Sequence, residues 1–374
     1  MVKINLSTFN SKTAKSSSEH EVSKLLARLA LFFPLAALIV GINYFVDPAS
    51  LYQKHDRHLS LEEELATILL TGKNVGNVGD FDERIMQKYL IEQQKVPNDL
   101  VIFGSSRSMQ LGGEFFPGKK LLNNSVSGAT LEDYLGLFFN YYKKRLLPKV
   151  ILLGTDPWIF NAKHGQTHWR SIEEDTNSML EELQLPPLNI DEDTLIPKKF
   201  LNLFSLSYFN LALKKLGTPD YFPTAEAFAD YNIRLSDGRL SYGKHYTSRT
   251  RSEVSADAHK YANEKVVYSL GNYRNLDQHY CEIFEKFIQK LQALKIQVIL
   301  FVPPYHPQTY KRLVLRNDTK IILQAEDYLR SVATKYQLPL LGSSNPSHDK
   351  LTDTDFLDGM HLSDAGLKKI LATE

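Results

Sequence analysis

The stretch Leu100-Val101-Ile102-Phe103-Gly104-Ser105-Ser106-Arg107-Ser108 decides how the chain is read. Its four leading apolar residues, branched or aromatic, read as a short buried strand. A glycine and a run of small polar residues follow at once. A strand ends this way when the chain must turn sharply and leave a hydroxyl exposed. A serine on such a turn acts as a nucleophile when a base lies within hydrogen-bond reach and backbone N–H groups face the developing oxyanion. An isolated Gly-Ser-Ser is more often an ordinary loop, so the reading depends on the rest of the chain.

The partner stands near the end, in Phe356-Leu357-Asp358-Gly359-Met360-His361-Leu362-Ser363. An Asp three residues before a His can hold the imidazole from behind, accepting from one ring nitrogen while the other faces the serine. Asp-x-x-His alone is common. It gains meaning from coming last, after a strand and before a terminal helix opened by Ser363. Two more blocks lie between. Leu121-Leu122-Asn123-Asn124-Ser125-Val126-Ser127-Gly128-Ala129-Thr130 and Val150-Ile151-Leu152-Leu153-Gly154-Thr155-Asp156-Pro157-Trp158 each read as a strand running into a glycine turn.

These four blocks, in this order, resemble the SGNH (GDSL-like) hydrolase superfamily over roughly residues 98–160 and 290–374. The resemblance implies an α/β, flavodoxin-like three-layer fold with about five parallel strands. It makes Ser106 the nucleophile, with His361 and Asp358 completing the catalytic set. It places the oxyanion hole at Ser106, Gly128 and the third-block position, Asp156. Two departures stand out. The usual Gly-Asp-Ser is Gly104-Ser105-Ser106, and the usual Gly-x-Asn is Gly154-Thr155-Asp156. An Asn can donate to an oxyanion but an ionised Asp cannot. Asp156 is therefore protonated, turned away or engaged elsewhere, with Arg107 a candidate partner. Arg107, Asn124, Trp158, Tyr305 and His306, at the ends of the strand blocks, are expected to bind substrate. His306 is a second candidate base, ranked behind His361 because no Asp stands close to it in sequence.

The rest of the 374-residue chain frames these blocks. Residues 1–24 are polar and read as a cytoplasmic tail. Residues 25–46 carry an apolar run whose part from Leu29 to Val46 has no charge, and they are expected to span a membrane once. Lys3, Lys12, Lys15, Lys24 and Arg28 precede the run, which places the N-terminus in the cytoplasm and the large domain outside. A cleaved signal peptide is the alternative. Residues 47–97 read as a helical linker region, with Ser60 as an N-cap and a glycine loop at Gly72, Gly76 and Gly79. From residue 98 to 374 strands and helices alternate, as in a parallel sheet with helices on both faces, so sites fall at the C-terminal strand ends. Residues 159–275 interrupt that alternation after the third strand. They include a hairpin over Arg234–Tyr242 with Asp237-Gly238 as its turn. This insertion is either a lid or acceptor-binding surface, or an ordinary surface excursion.

Composition narrows the function. A net charge of +1 and the lack of any recognition helix or basic-aromatic module argue against nucleic acid. The single cysteine, Cys281, excludes an internal disulfide framework. No metal-ligand spacing and no phosphate-binding glycine loop is present, so neither metal nor cofactor is expected. A Ser–His–Asp set points to acyl or ester transfer through an acyl-serine. One N-terminal membrane helix followed by an outward domain with Gly-Ser-Ser-Arg resembles envelope proteins that modify polysaccharides alongside a multi-spanning membrane O-acyltransferase. The expected function is therefore a membrane-anchored acyl-transfer enzyme, with an acyl donor and an envelope glycan as its partners. An anchored esterase or lipase using water, and a non-catalytic glycan-binding partner of a membrane acyltransferase, are the alternatives.

Overall fold

A computed structural model describes residues 24, 30, 32–47, 59–78, 81–188, 202–215, 222–224, 230–265, 267–271 and 273–372. The chain divides into two compact units, one of residues 1–57 with 191–220 and one of 58–190 with 221–374.

In the first unit, residues 32–46 form helix α1 and Leu206–Lys215 form a second helix. The Asn43 side chain is buried and its amide donates to the carbonyls of Asn202, Leu203 and Ser205 at 2.9–3.2 Å. The Tyr208 hydroxyl donates to the buried Asp47 at 2.8 Å. Phe32, Phe33, Phe45 and Leu206 are instead exposed, each by more than 60%. Part of the expected 25–46 membrane span, residues 25–29 and 31, lies outside the described residues, as does most of the 1–24 tail. Among the described residues no helix is long and apolar enough to cross a membrane.

The second unit is α/β, built on a five-stranded parallel sheet. Its strands are β2 (Leu100–Phe103), β3 (Leu121–Asn123), β4 (Val150–Gly154), β8 (Gln297–Val302) and β9 (Leu340–Gly342), in the order β3-β2-β4-β8-β9. Counted within the sheet alone, that order is 2-1-3-4-5, which has a switch point beside its first strand. Side chains alternate as period two requires. Val101, Phe103, Ile151, Leu153, Val298 and Leu300 enter one core with Phe138, Phe284 and Leu329. Leu100, Ile102, Leu152 and Phe301 enter another with Leu362, Leu367 and Ile370. Both faces are thus covered, which is why these strands are almost wholly apolar.

The covering helices start where local chemistry stops the chain. Thr130 and Asp133 form a capping box opening Leu131–Lys144, here α4. Asp277 accepts from the N–H groups of His279 and Tyr280 to open Gln278–Ala293. Ser363 caps the terminal helix Asp364–Leu371, as expected.

Residues 60–97 contain two helices, α2 (Leu61–Leu70) and α3 (Glu83–Glu92), with Ser60 capping the first. The glycine-rich stretch between them is not simply a loop. Asn74–Gly76 is a strand, β1, and it sits inside a second sheet of four strands. The others are β5 (Phe222–Thr224), β6 (Ile233–Arg234) and β7 (Leu240–Ser241), every pair antiparallel. A three-residue strand that ends in a glycine has no alternation to read. Its pairing is decided by segments about 150 residues away. The hairpin β6–β7 turns at Asp237-Gly238, with Gly238 at φ +82°. The Asn123 N–H donates to the Asp237 carbonyl at 2.8 Å, so the hairpin turn meets the end of edge strand β3.

Candidate active site

Strand β2 ends at Phe103, and the chain turns at once through Gly104, Ser105 and Ser106. Ser108 explains the glycine. A Cβ on Gly104 would lie 2.5 Å from the Ser108 hydroxyl, and one on Gly154, at the end of β4, would lie 2.0 Å from it. The Ser108 side chain is therefore wedged between two neighbouring strand ends, and only glycine leaves it room. Asn123 fixes the same loop from β3, its amide donating to the carbonyls of Ser108 and Leu111 at 2.9 and 2.7 Å.

This turn carries Ser106 to His361, with Oγ 2.9 Å from Nε2. The other ring nitrogen, Nδ1, lies 2.8 Å from Asp358 Oδ2. A carboxylate only accepts, so Nδ1 carries the proton and Nε2 is left to accept from the serine. Asp358 Oδ1 accepts from the backbone N–H groups of Met360 and His361, both at 2.7 Å. Burial alone would raise this carboxyl. The pull of His361, its hydrogen bond, the Tyr246 hydroxyl and the Met360 N–H together hold it well below the usual carboxylate range. The three residues read as a catalytic set in the sequence thus meet, from opposite ends of the chain.

Gly128 stands at φ +60°, a conformation that favours glycine. Among the described residues, neither its N–H nor that of Ser106 has an intramolecular acceptor. Above Gly128 lies Tyr268, whose hydroxyl would be 2.1 Å from a Cβ placed there. Tyr268 in turn packs edge-on against Trp158, with ring centroids 5.3 Å apart.

Asp156 is not a donor to this site. It is fully buried and accepts from Arg107 Nη1 at 2.8 Å. Burial pushes its carboxyl up, while the guanidinium and Ser105 work against that shift. The expectation that Asp156 completes the oxyanion hole is thus corrected: its carboxylate is engaged with Arg107.

Arg107 is also no substrate ligand. Its side chain is buried beneath the nucleophile turn. Nε donates to the Met360 carbonyl at 3.1 Å, and Nη2 to the carbonyls of Pro303 and Pro304 at 2.6 and 2.7 Å. The guanidinium lies 4.2 Å over the Tyr305 ring. Arg107 therefore ties the serine turn to the histidine loop and to the segment after β8. Tyr305 is fully buried under it, and burial pushes its hydroxyl up to about 12.

The other expected substrate residues are structural as well. Asn124 is buried, donating to Gln87 at 2.6 Å and accepting from Tyr141 at 2.7 Å. Trp158 is buried, its indole N–H donating to the Ala129 carbonyl at 2.9 Å. His306 is fully buried and caps the helix that follows it, Nδ1 accepting from the Gln308 N–H at 3.2 Å. These residues at strand ends were expected to face substrate; in this chain their polar groups are spent on holding the neighbouring turns and helices.

The model of a protein family described as being of unknown function, DUF1574, matches residues 77–372. The chain belongs to that family. No curated protein matches it. The DUF1574 match contains Ser106, Asp358, His361 and the whole five-stranded sheet. It also contains three tyrosines that sequence reading did not single out. Tyr242 stands edge-on to His361 with ring centroids 6.1 Å apart, and Tyr246 donates its hydroxyl to Asp358 Oδ2. Tyr268 is the third. All lie in the 159–275 insertion. Its richness in tyrosine was visible, but no spacing rule tells which ring reaches the triad. Among the described residues no group of His, Cys, Asp and Glu could hold a metal ion.

Proposed function

We propose that this protein is a membrane-anchored acyl-transfer enzyme of SGNH type, acting through an acyl-serine on a cell-envelope polysaccharide or glycoconjugate. The observation that carries the proposal is the unbroken line from Ser106 Oγ through His361 to Asp358, at 2.9 and 2.8 Å. The sheet order 2-1-3-4-5, with the serine turn after its first strand, supports the SGNH, flavodoxin-like reading.

In the proposed reaction the Ser106 oxygen attacks the acyl carbonyl while its proton passes to His361 Nε2. The carbonyl oxygen gains the negative charge and is met by the N–H groups of Ser106 and Gly128. The leaving group takes the proton from His361, giving the acyl-serine. An acceptor hydroxyl then gives its proton to Nε2 and attacks the acyl carbonyl, and Ser106 leaves with that proton as the new ester forms. Asp358 stays ionised throughout and stabilises the imidazolium. The anchor reading is supported by the polarity of the first unit. Its large apolar side chains point outward while Asn43 and Asp47 are buried and hydrogen-bonded, an arrangement that suits lipid.

The test is labelling of the full-length chain with a serine-reactive fluorophosphonate, read by peptide mass spectrometry. The label is expected on Ser106 and is expected to vanish in His361→Ala. A folded wild-type chain that takes no label would sink the proposal. Turnover of a simple aryl ester, with and without an oligosaccharide acceptor, then separates transfer from hydrolysis: transfer gives an acylated sugar at the expense of free acid.

A further inference from the structure

We infer that Tyr246 is a positioning residue of the triad, a fourth member that fixes the Asp358 carboxylate and tunes its hold on His361. The inference rests on the triad reading only in taking Asp358 to serve His361.

Asp358 Oδ2 accepts two hydrogen bonds, from His361 Nδ1 and from the Tyr246 hydroxyl. Oδ1 accepts two more, from backbone N–H groups. An ionised carboxylate offers about four lone-pair sites. All are therefore used, and rotation of the group would break several bonds at once. The phenol also aims the positive end of its O–H dipole at the oxygen that holds His361. Without the phenol, that oxygen would be a stronger acceptor toward His361 Nδ1.

Tyr246 is built for a fixed position. It lies in the short helix Lys244–Thr247 directly after the β6–β7 hairpin. The Gly243 N–H donates to Asn232 Oδ1 at 2.9 Å, and the Tyr246 N–H to the Gly243 carbonyl at 2.9 Å. Its ring packs against Tyr242, with centroids 4.9 Å apart and planes tilted by 33°, and the Arg249 guanidinium lies 5.5 Å from its centroid. Burial and Asp358 push its hydroxyl far above the ordinary tyrosine value, so it remains a donor at any working pH. The other titratable or charged groups facing the Asp358–His361 pair are Ser106 from the β2 turn, the Arg107–Asp156 pair beneath it, Tyr242 and Arg249 from the insertion, Tyr261 from helix Arg251–Asn263, and His306 after β8. None of these places a hydroxyl in hydrogen-bond contact with Asp358; among the described residues only Tyr246 does.

The placement changes how the insertion is understood. It is more than an ordinary surface excursion, because it supplies a side chain to Asp358.

The experiment follows the His361 imidazole by ¹⁵N NMR across pH in the full-length chain, with His361→Gln used to assign the signal. Tyr246→Phe keeps the ring contacts and removes the donor, so the His361 midpoint should move up by roughly 0.5–1 unit. Site-specific replacement of Tyr246 by 3-fluorotyrosine makes the donor stronger, so the midpoint should move down. The opposite signs are the signature of the hydrogen bond, and the second variant decides the matter even if the first folds poorly. Fluorophosphonate labelling of Ser106 in Tyr246→Phe should slow several-fold, and more at the acid end of the pH range than at the alkaline end. A midpoint that moves with neither substitution overturns the inference. The NMR readout needs no turnover, so a wild-type chain that titrates as described but takes no label would count against the enzymatic proposal and not against the Tyr246 contact.

Discussion

Arg107 directs its four hydrogen bonds into the protein, and that decides what a change there does. Methionine keeps much of the length but neither the charge nor the planar fork, and it leaves Asp156 buried without its partner. Arg107→Met should therefore destabilise by about 3–5 kcal/mol in a denaturant melt, the usual consequence of breaking a buried pair. Ser106→Ala removes one hydroxyl at the surface of the turn. It should leave the melting curve unchanged while lowering turnover by at least about a thousandfold. Asp358→Asn should cost about ten-thousandfold in turnover, because an amide favours the wrong tautomer of His361. Its effect on stability depends on pH with a definite sign. The folded carboxyl ionises well below its ordinary value of 3.8, so the stability it adds is complete above that value and is lost as pH falls through the acid range. The gap in melting temperature between wild type and Asp358→Asn should thus narrow below about pH 4. A gap that is constant with pH would contradict the bonding seen around Asp358. The triad itself was legible in the sequence, because each member sits directly after or beside a strand block with its own local signal. The pairing of Arg107 with Asp156 was one of the readings the sequence offered, but the burial of Arg107, Asn124 and Trp158 was not legible, since burial is settled by what packs over a residue from elsewhere.

At the scale of elements, the strand ends depend on close approach. Gly154→Ala would set a methyl group against the Ser108 hydroxyl, and it should destabilise by roughly 1–3 kcal/mol through overpacking. Ser108→Ala in the same chain removes the nearest atom and should recover part of that loss, whereas additive effects would show that the two sites do not touch. The Gly128 turn has a comparable support in α3. Arg84 bonds Asp133 through Nε and Nη2 at 2.9 and 3.0 Å and reaches the Ser127 carbonyl at 2.9 Å. This joins α3 to the turn and to the start of α4, and it makes the region expected as a linker part of the frame of the site. The helices, the parallel strands and the Asp237-Gly238 hairpin could be read because each has a period or a turn signal. Strand β1 could not, because three residues ending in a glycine carry no pattern and pair only with partners supplied by distant segments.

For the whole molecule, the proposed anchor is the feature that fractionation can examine. Removing residues 1–46 should shift the protein from the membrane pellet to the supernatant, whereas a truncated chain still bound to membranes after a high-salt wash would show a second attachment. The sequence by itself determined the order of the strand blocks, the covering helices and the residues of the triad, because these follow from local periodicity and from chemistry that sits at strand ends. Only the tertiary structure decided that Asp156 pairs with Arg107, that β1 joins a second sheet, and that Tyr246 and Tyr268 of the insertion reach Asp358 and Gly128. These contacts join segments about 50 to 150 residues apart. Their energies come from burial and geometry that exist only once the chain has closed on itself.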